Sequence, residues 1–373
     1  MTTVAGRLVL EGGVINGLVS VEGDLIRDLE LDPDSDSGGP FLVPGFVDLH
    51  VHGWGGYDAM GGRDGLDGMA RALLRRGITS FLPTAVTAPL PELRVFAETV
   101  REWLASSPED GAQPLGFNLE GPFLAEARRG AHDPAHLHSP AEVAVGDLEA
   151  LVEKLRVITV APELDGALDL VTWLRDRGVA VSLGHSGATI EIAQAGFAAG
   201  AASTTHLFNA MSGVDHRVPG LAVAALLDDE VYVELIADGI HVDPQLWPMI
   251  TRLKPTDKLM LVSDAIYLAG TGDGRGQIGG LDCEVVGGRV TLAGTSTLAG
   301  SVLSLDVALR NLVATGVPLP AAVAAATRNP LALLGITDRG RIAAGQRADL
   351  VELSPDLQVQ RVMRAGQWLN AVP

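Results

Sequence analysis

His50 and His52 stand one residue apart at the end of an apolar run. If that run is a strand, side chains two apart share a face, and both imidazoles aim at one point. Alone, such a pair is a weak signal and is more often two hydrogen-bonded histidines; Gly53, Gly55 and Gly56 open a loop directly after it and favour metal ligands. His185 and His206 each close a β-rich run and lie 21 residues apart, one βα unit. Neighbouring strand ends can then present both rings to one divalent ion through neutral nitrogens. Four histidines still need an anionic companion. The three lysines, Lys154, Lys254 and Lys258, stand at no expected strand end, so a modified lysine does not supply it. Glu120 does, in Asn118-Leu119-Glu120-Gly121-Pro122, where Gly-Pro turns the chain and the carboxylate can bind one ion or bridge two. Asp264 closes the run LMLVSD. Beside a metal it stays ionised, can take a proton from water activated there, and can pass it to a departing nitrogen. The plainer alternative is a helix cap.

These residues need a scaffold that gathers strand ends. Eight β-rich runs alternate with helix-like stretches: Val43–His50, Ile78–Thr84, Leu115–Glu120, Val157–Glu163, Ala180–His185, Ser203–Asn209, Val231–Asp238 and Leu259–Asp264. Leu90–Leu104 and Ala188–Ala199 are amphipathic and long enough for helices. The pattern predicts an α/β fold, a (β/α)8 TIM-type barrel over residues 43–335, with its chemistry at the C-terminal ends of the strands. The ends read as short strands with Gly turns and no helices. Residues 1–42 and 336–373 are expected to form one small β-sandwich domain. Residues 272–300, with Gly279-Gly280 and Gly287-Gly288, read as an inserted β-hairpin.

Composition excludes several classes. A formal charge of −19 argues against a basic nucleic-acid surface. It also sets the long-range field against a phosphorylated ligand, so any phosphate site must be built locally from a few cations. Cys283 is the one cysteine, which rules out an internal disulfide, and its place in the insertion suggests an inert thiol. No start resembling a signal peptide and no membrane-length apolar run are present, and a cytoplasmic address is expected.

In order, PGFVDLHVHG, NLEGPF, GAHDP, GHS, HLFNAM, DGIHV and SDA resemble the N-acetylglucosamine-6-phosphate deacetylases of the amidohydrolase superfamily. TRNPLALLG and GRIAAGQRADLVEL resemble that superfamily's shared ending, so the likeness spans essentially the whole chain. It implies Glu120, His185 and His206 as ligands of a principal metal, Asp264 as acid/base, and His132, after Ala131, beside the scissile amide. It also implies Asn209, Ala210 and the segment Leu298, Ala299, Gly300, Ser301 as substrate contacts. Arg217 and His241 would meet the phosphate, often across a subunit boundary, which implies a homodimer. Because both first-strand histidines are present, a second metal is expected, with His50, His52, Glu120 and Asp264 sharing one ion. Zinc and iron both suit these donors.

The residues agree with that likeness. Arg217 offers a planar fork for phosphate oxygens, although singly it reads as readily as a surface salt bridge. His241 can become cationic beside a dianion. His136, His138, His216 and Asp238 receive no role. The expected reaction is hydrolysis of N-acetylglucosamine 6-phosphate to glucosamine 6-phosphate and acetate without a Ser or Cys nucleophile. Rival readings are the galactosamine epimer, cyclic-amide hydrolysis on the same barrel, and a scaffold that only binds; the last predicts lost ligands, whereas every ligand position is filled.

Overall fold

The computed structural model describes residues 1–34 and 38–369. The spans 1–42 and 336–373 expected for the terminal domain include residues 35–37 and 370–373, which lie outside the described residues. Eight parallel strands follow one another around the barrel: Phe46–Val51, Ile78–Val86, Phe117–Glu120, Leu155–Val160, Ala180–Leu183, Ser203–Thr204, Tyr232–Leu235 and Leu259–Leu261. Each falls within or overlaps a run expected from sequence, and several stop short of the polar residue that ends the run. Those polar ends lie beyond the ladder, free to turn inward. Closure comes from backbone bonds just past the last strand. Asp264 N donates to His50 O at 2.9 Å, His52 N donates to Ala265 O at 2.8 Å, and Val51 and Ala265 form a parallel bridge.

Helices cover the outside of the strands. Gly62–Leu74 buries Leu66, Met69, Ala70, Leu73 and Leu74, and Leu90–Leu104 buries Leu93, Phe96, Ala97, Val100 and Trp103. Both sets follow the three-and-four spacing of an amphipathic helix, and each large side chain contributes roughly 1.5–3 kcal/mol by leaving water. Strand Ile78–Val86 is buried along its full length, because a parallel sheet in a barrel is covered on both faces.

Both termini build the smaller domain. Hydrogen bonding runs unbroken through seven strands in the order Gln367–Trp368, Val359–Arg364, Leu350–Leu353, Phe41–Pro44, Thr2–Leu10, Gly13–Glu22 and Leu25–Leu31. The two arms of this one sheet share a core that includes Val4, Leu8, Val19, Ile26, Ile342, Leu350 and Met363. The inserted hairpin is a correction. It is a three-stranded antiparallel meander, Gly274–Ile278, Leu281–Val286 and Arg289–Leu292. Each Gly-Gly pair makes one of its turns with positive φ at both residues, so two turns join three strands where one was expected.

Candidate metal centre

Glu120 emerges from the third barrel strand, 4% exposed, and its two carboxylate oxygens face opposite groups of histidines. Oε1 lies 3.0 Å from His185 Nε2 and 2.8 Å from His206 Nε2. Oε2 lies 3.2 Å from His52 Nε2 and 3.5 Å from His50 Nε2. Asp264 Oδ1 completes the second group, 3.1 Å from His52 Nε2 and 3.6 Å from His50 Nε2. Two sets of donor atoms are thus compact enough to hold a cation: His50, His52, Glu120 and Asp264, and Glu120, His185 and His206, all buried.

The far sides of the rings decide what the near sides offer. His52 Nδ1 meets the carbonyl of Thr84 at 3.1 Å, and His185 Nδ1 meets that of Arg128 at 2.8 Å. A carbonyl only accepts, so each ring when neutral carries its proton on Nδ1 and turns a lone pair of Nε2 inward. His50 Nδ1 meets the carboxylate of Glu234 at 3.2 Å with the same consequence. Its Nε2 is fully buried and makes no hydrogen bond, as expected of a nitrogen shaped for a cation. These donors fit one or two divalent metals bound through imidazole and carboxylate.

Electrostatics agree in direction. Burial works against the charge on Glu120, yet His50, His132 and His185 hold its carboxyl well below the usual carboxylate range. Asp264 is likewise held low against burial by its bond to His52 and the nearby His50. Burial pushes the His185 ring down to about 4, so it is neutral, the state that ligates. His52 would also be lowered by burial, but its bonds to Asp264 and Glu120 raise it to about 9.

Three of these candidate donors share an unusual backbone. His185, His206 and Asp264 have φ of +46°, +28° and +50°. Left-handed conformations are costly for residues with a Cβ, and such outliers gather where a side chain must be aimed. Each lies two or three residues past the end of its strand, at the turn into the following loop.

A cavity of about 330 Å³ opens above the two donor sets. Its wall includes Ala131, His132, Asn209, Ala210, His241, Leu298 and Gly300, all expected from sequence, together with Thr297 and Arg128. His132 Nε2 stands 3.3 Å from Glu120 Oε2. Its Nδ1 accepts the backbone N–H of Thr87 at 3.3 Å, which leaves Nε2 to carry the ring's N–H, a donor aimed into the site. His241 Nδ1 lies 2.7 Å from Asp238 Oδ2, so Asp238, given no role from sequence, orients that ring.

Three expected contacts lie elsewhere. Ala299 and Ser301 are buried behind the wall rather than lining it, and Ser301 Oγ donates to the Ser263 carbonyl. Arg217 is exposed, outside the wall, on a loop whose Asp215 accepts its backbone N–H at 2.7 Å. Sequence reading missed Glu234, Thr87 and Arg128. Glu234 sits in the run VYVELIAD as one polar residue among apolar ones, Thr87 acts in part through its backbone, and Arg128 lies in a loop without periodicity.

Residues 41–369 match the amidohydrolase family. The chain is 39% identical to a human N-acetylglucosamine-6-phosphate deacetylase, covering 97% of this chain and 93% of that one. It is 36% identical to an N-acetylgalactosamine-6-phosphate deacetylase of Escherichia coli O157:H7, covering 97% of both. The structure of an N-acetylglucosamine-6-phosphate deacetylase from Thermotoga maritima superposes with TM-score 0.92 at 32% identity, over 98% of this chain and 99% of that one. A mutant of the Mycobacterium smegmatis enzyme, solved in complex with N-acetyl-D-glucosamine-6-phosphate, gives 0.91 at 36% identity over 98% of both. The chain belongs to the amidohydrolase family, among the N-acetylglucosamine-6-phosphate deacetylases.

Proposed function

We propose that this chain hydrolyses the acetamido bond of N-acetylglucosamine 6-phosphate, giving glucosamine 6-phosphate and acetate. One observation carries the reading. Two donor sets share Glu120 at the floor of a cavity whose wall holds Asp264, His132 and His241.

Divalent cations held by Glu120, His185 and His206, and by His50, His52, Glu120 and Asp264, would supply Lewis acidity toward the amide carbonyl and toward water. The remaining chemistry belongs to side chains. Asp264 Oδ1 is ionised and accepts the proton of the attacking water. His132 Nε2–H donates to the carbonyl oxygen as charge develops there. Asp264 then returns its proton to the nitrogen, making the amine a leaving group. Asn209 spends both amide hydrogens on the carbonyls of His206 and Leu207, at 3.1 and 3.2 Å, leaving its oxygen as an acceptor for a sugar hydroxyl.

His241, braced by Asp238, receives the phosphate. Arg217 lies outside its own chain's cavity, which supports a homodimer in which each copy lends Arg217 to the other's phosphate. Zinc or iron suits the donors, two ions per chain match the two sets, and the address is cytoplasmic. The small terminal domain spans 1–42 and 336–373 around a barrel of 43–335. The second reading is the galactosamine epimer, favoured by the 36% identity to that deacetylase. Acetate release from both N-acetylhexosamine 6-phosphates and from unphosphorylated N-acetylglucosamine tests these readings. The gluco epimer is expected to give the highest kcat/KM; a higher value for the galacto epimer establishes the alternative, and equal rates without phosphate remove the role of His241 and Arg217.

A further inference from the structure

Glu234 is an acidic side chain in the barrel interior, on the seventh strand, 1% exposed. A carboxylate in such a place costs several kcal/mol unless it is paired. Among the described residues its side chain pairs with the candidate metal centre alone: Oε2 lies 3.2 Å from His50 Nδ1 and accepts the backbone N–H of His206 at 3.1 Å. One oxygen therefore reaches a member of each donor set, across 184 and 28 residues of chain.

The other rings are braced differently. His52 and His185 lean on neutral carbonyls, those of Thr84 and Arg128, and His206 Nδ1 has no hydrogen-bond partner among the described residues. His50 alone of the four has a carboxylate behind it. A carboxylate accepting from the far nitrogen fixes the tautomer, holds the ring plane, and makes the near nitrogen a stronger donor to a cation. His50 also has the greatest need of such help. Its Nε2 stands 3.5 and 3.6 Å from the nearest carboxylate oxygens, against 3.1 and 3.2 Å for His52.

We propose that Glu234 is a positioning residue for the second cation: it locks His50 as a ligand and so makes the set His50, His52, Glu120 and Asp264 competent to bind. The inference rests on the two-cation reading above. Glu234 does not line the cavity. It acts through His50, while its bond to His206 N ties the same oxygen to the first set, so both sets register against one rigid group.

The test uses the full chain stripped of metal, with Zn²⁺ as probe, in equilibrium dialysis and chelator competition that resolve each equivalent. Wild type is expected to take two equivalents. Glu234→Gln keeps an oxygen where both N–H groups point but removes its charge. It should weaken the second equivalent about 10- to 100-fold and leave the first within about threefold. Glu234→Ala should abolish the second equivalent. Thermal unfolding of each metal-free variant separates this from general damage. If E234Q binds both equivalents like wild type, or loses both in parallel with a falling Tm, the positioning role is overturned. A wild-type chain that takes one equivalent overturns the two-cation reading and this inference with it, an outcome visible before any variant is made.

Discussion

Asp264 Oδ1 lies 3.1 Å from His52 Nε2, although 212 residues separate them in sequence. The same closure of the barrel holds both: Asp264 N donates to His50 O, and His52 N donates to Ala265 O. The proposed acid/base, Asp264, is thus fixed by main-chain bonds to the strand that carries His50 and His52. A proton taken up by Asp264 arrives within reach of the cluster that keeps its carboxylate ionised, and a shift of either strand end would move both functions together.

Asp264→Asn keeps the shape and removes the base. Turnover of N-acetylglucosamine 6-phosphate should fall by about 10²–10⁴-fold. Binding of the substrate, followed by calorimetry, should survive. A variant retaining a tenth of the wild-type kcat would take Asp264 out of the acid/base role.

Metal binding should be coupled to protons. In the metal-free chain His52 is raised to about 9, so at neutral pH it carries a proton that a cation must displace. His206 is raised as well: burial opposes its charge, and Glu120 more than offsets that. Affinity should therefore fall as pH drops below about 9, by up to about tenfold per pH unit for each proton displaced. Calorimetry in buffers of differing ionisation enthalpy reads the protons released. Binding that is independent of pH between 6 and 9 would contradict the assignment.

His241→Asn should raise KM for the phosphorylated sugar at least about tenfold, because a hydrogen bond to a charged group contributes roughly 1.5–3 kcal/mol. The unphosphorylated sugar should be unaffected. Asp238→Asn, which loosens the His241 ring without removing it, should fall between wild type and His241→Asn. An equal loss on both sugars would place His241 outside the phosphate site.

The homodimer proposed above, with Arg217 lent between copies, makes a prediction about mixtures. Arg217→Ala and Asp264→Asn chains are each poorly active alone. Co-assembled, a hybrid dimer contains one site with its own Asp264 and the other copy's Arg217, and activity should return to about a quarter of the wild-type level with random pairing. No recovery in dimers shown to be hybrid would mean that Arg217 serves its own chain or none.

Much of this site is legible in the sequence, for a physical reason. Barrel strands carry their chemistry at their C-terminal ends, so His50, His52, Glu120, His185, His206 and Asp264 each appear where an apolar run stops. What the sequence hides is what stands behind them. Glu234 reaches His50 across 184 residues from within its strand, and nothing local distinguishes it from a polar residue facing a helix. Thr87 works in part through its main-chain N–H, which any residue but proline possesses. The second turn of the insertion was visible as Gly287-Gly288, yet two Gly-Gly pairs fit one hairpin with a long loop as well as a three-stranded meander. Arg217 is legible as a residue, but the structure places it on an exposed loop outside the cavity wall.

The most direct test is acetate release from N-acetylglucosamine 6-phosphate by chain stripped with chelator and then titrated with Zn²⁺ or Fe²⁺. Turnover should start near zero and climb to a plateau by two equivalents per chain, with Glu120→Gln, which weakens both donor sets at once, staying near the baseline throughout. Undiminished acetate release from the stripped chain, or full activity in Glu120→Gln, would contradict a metal centre gathered around Glu120.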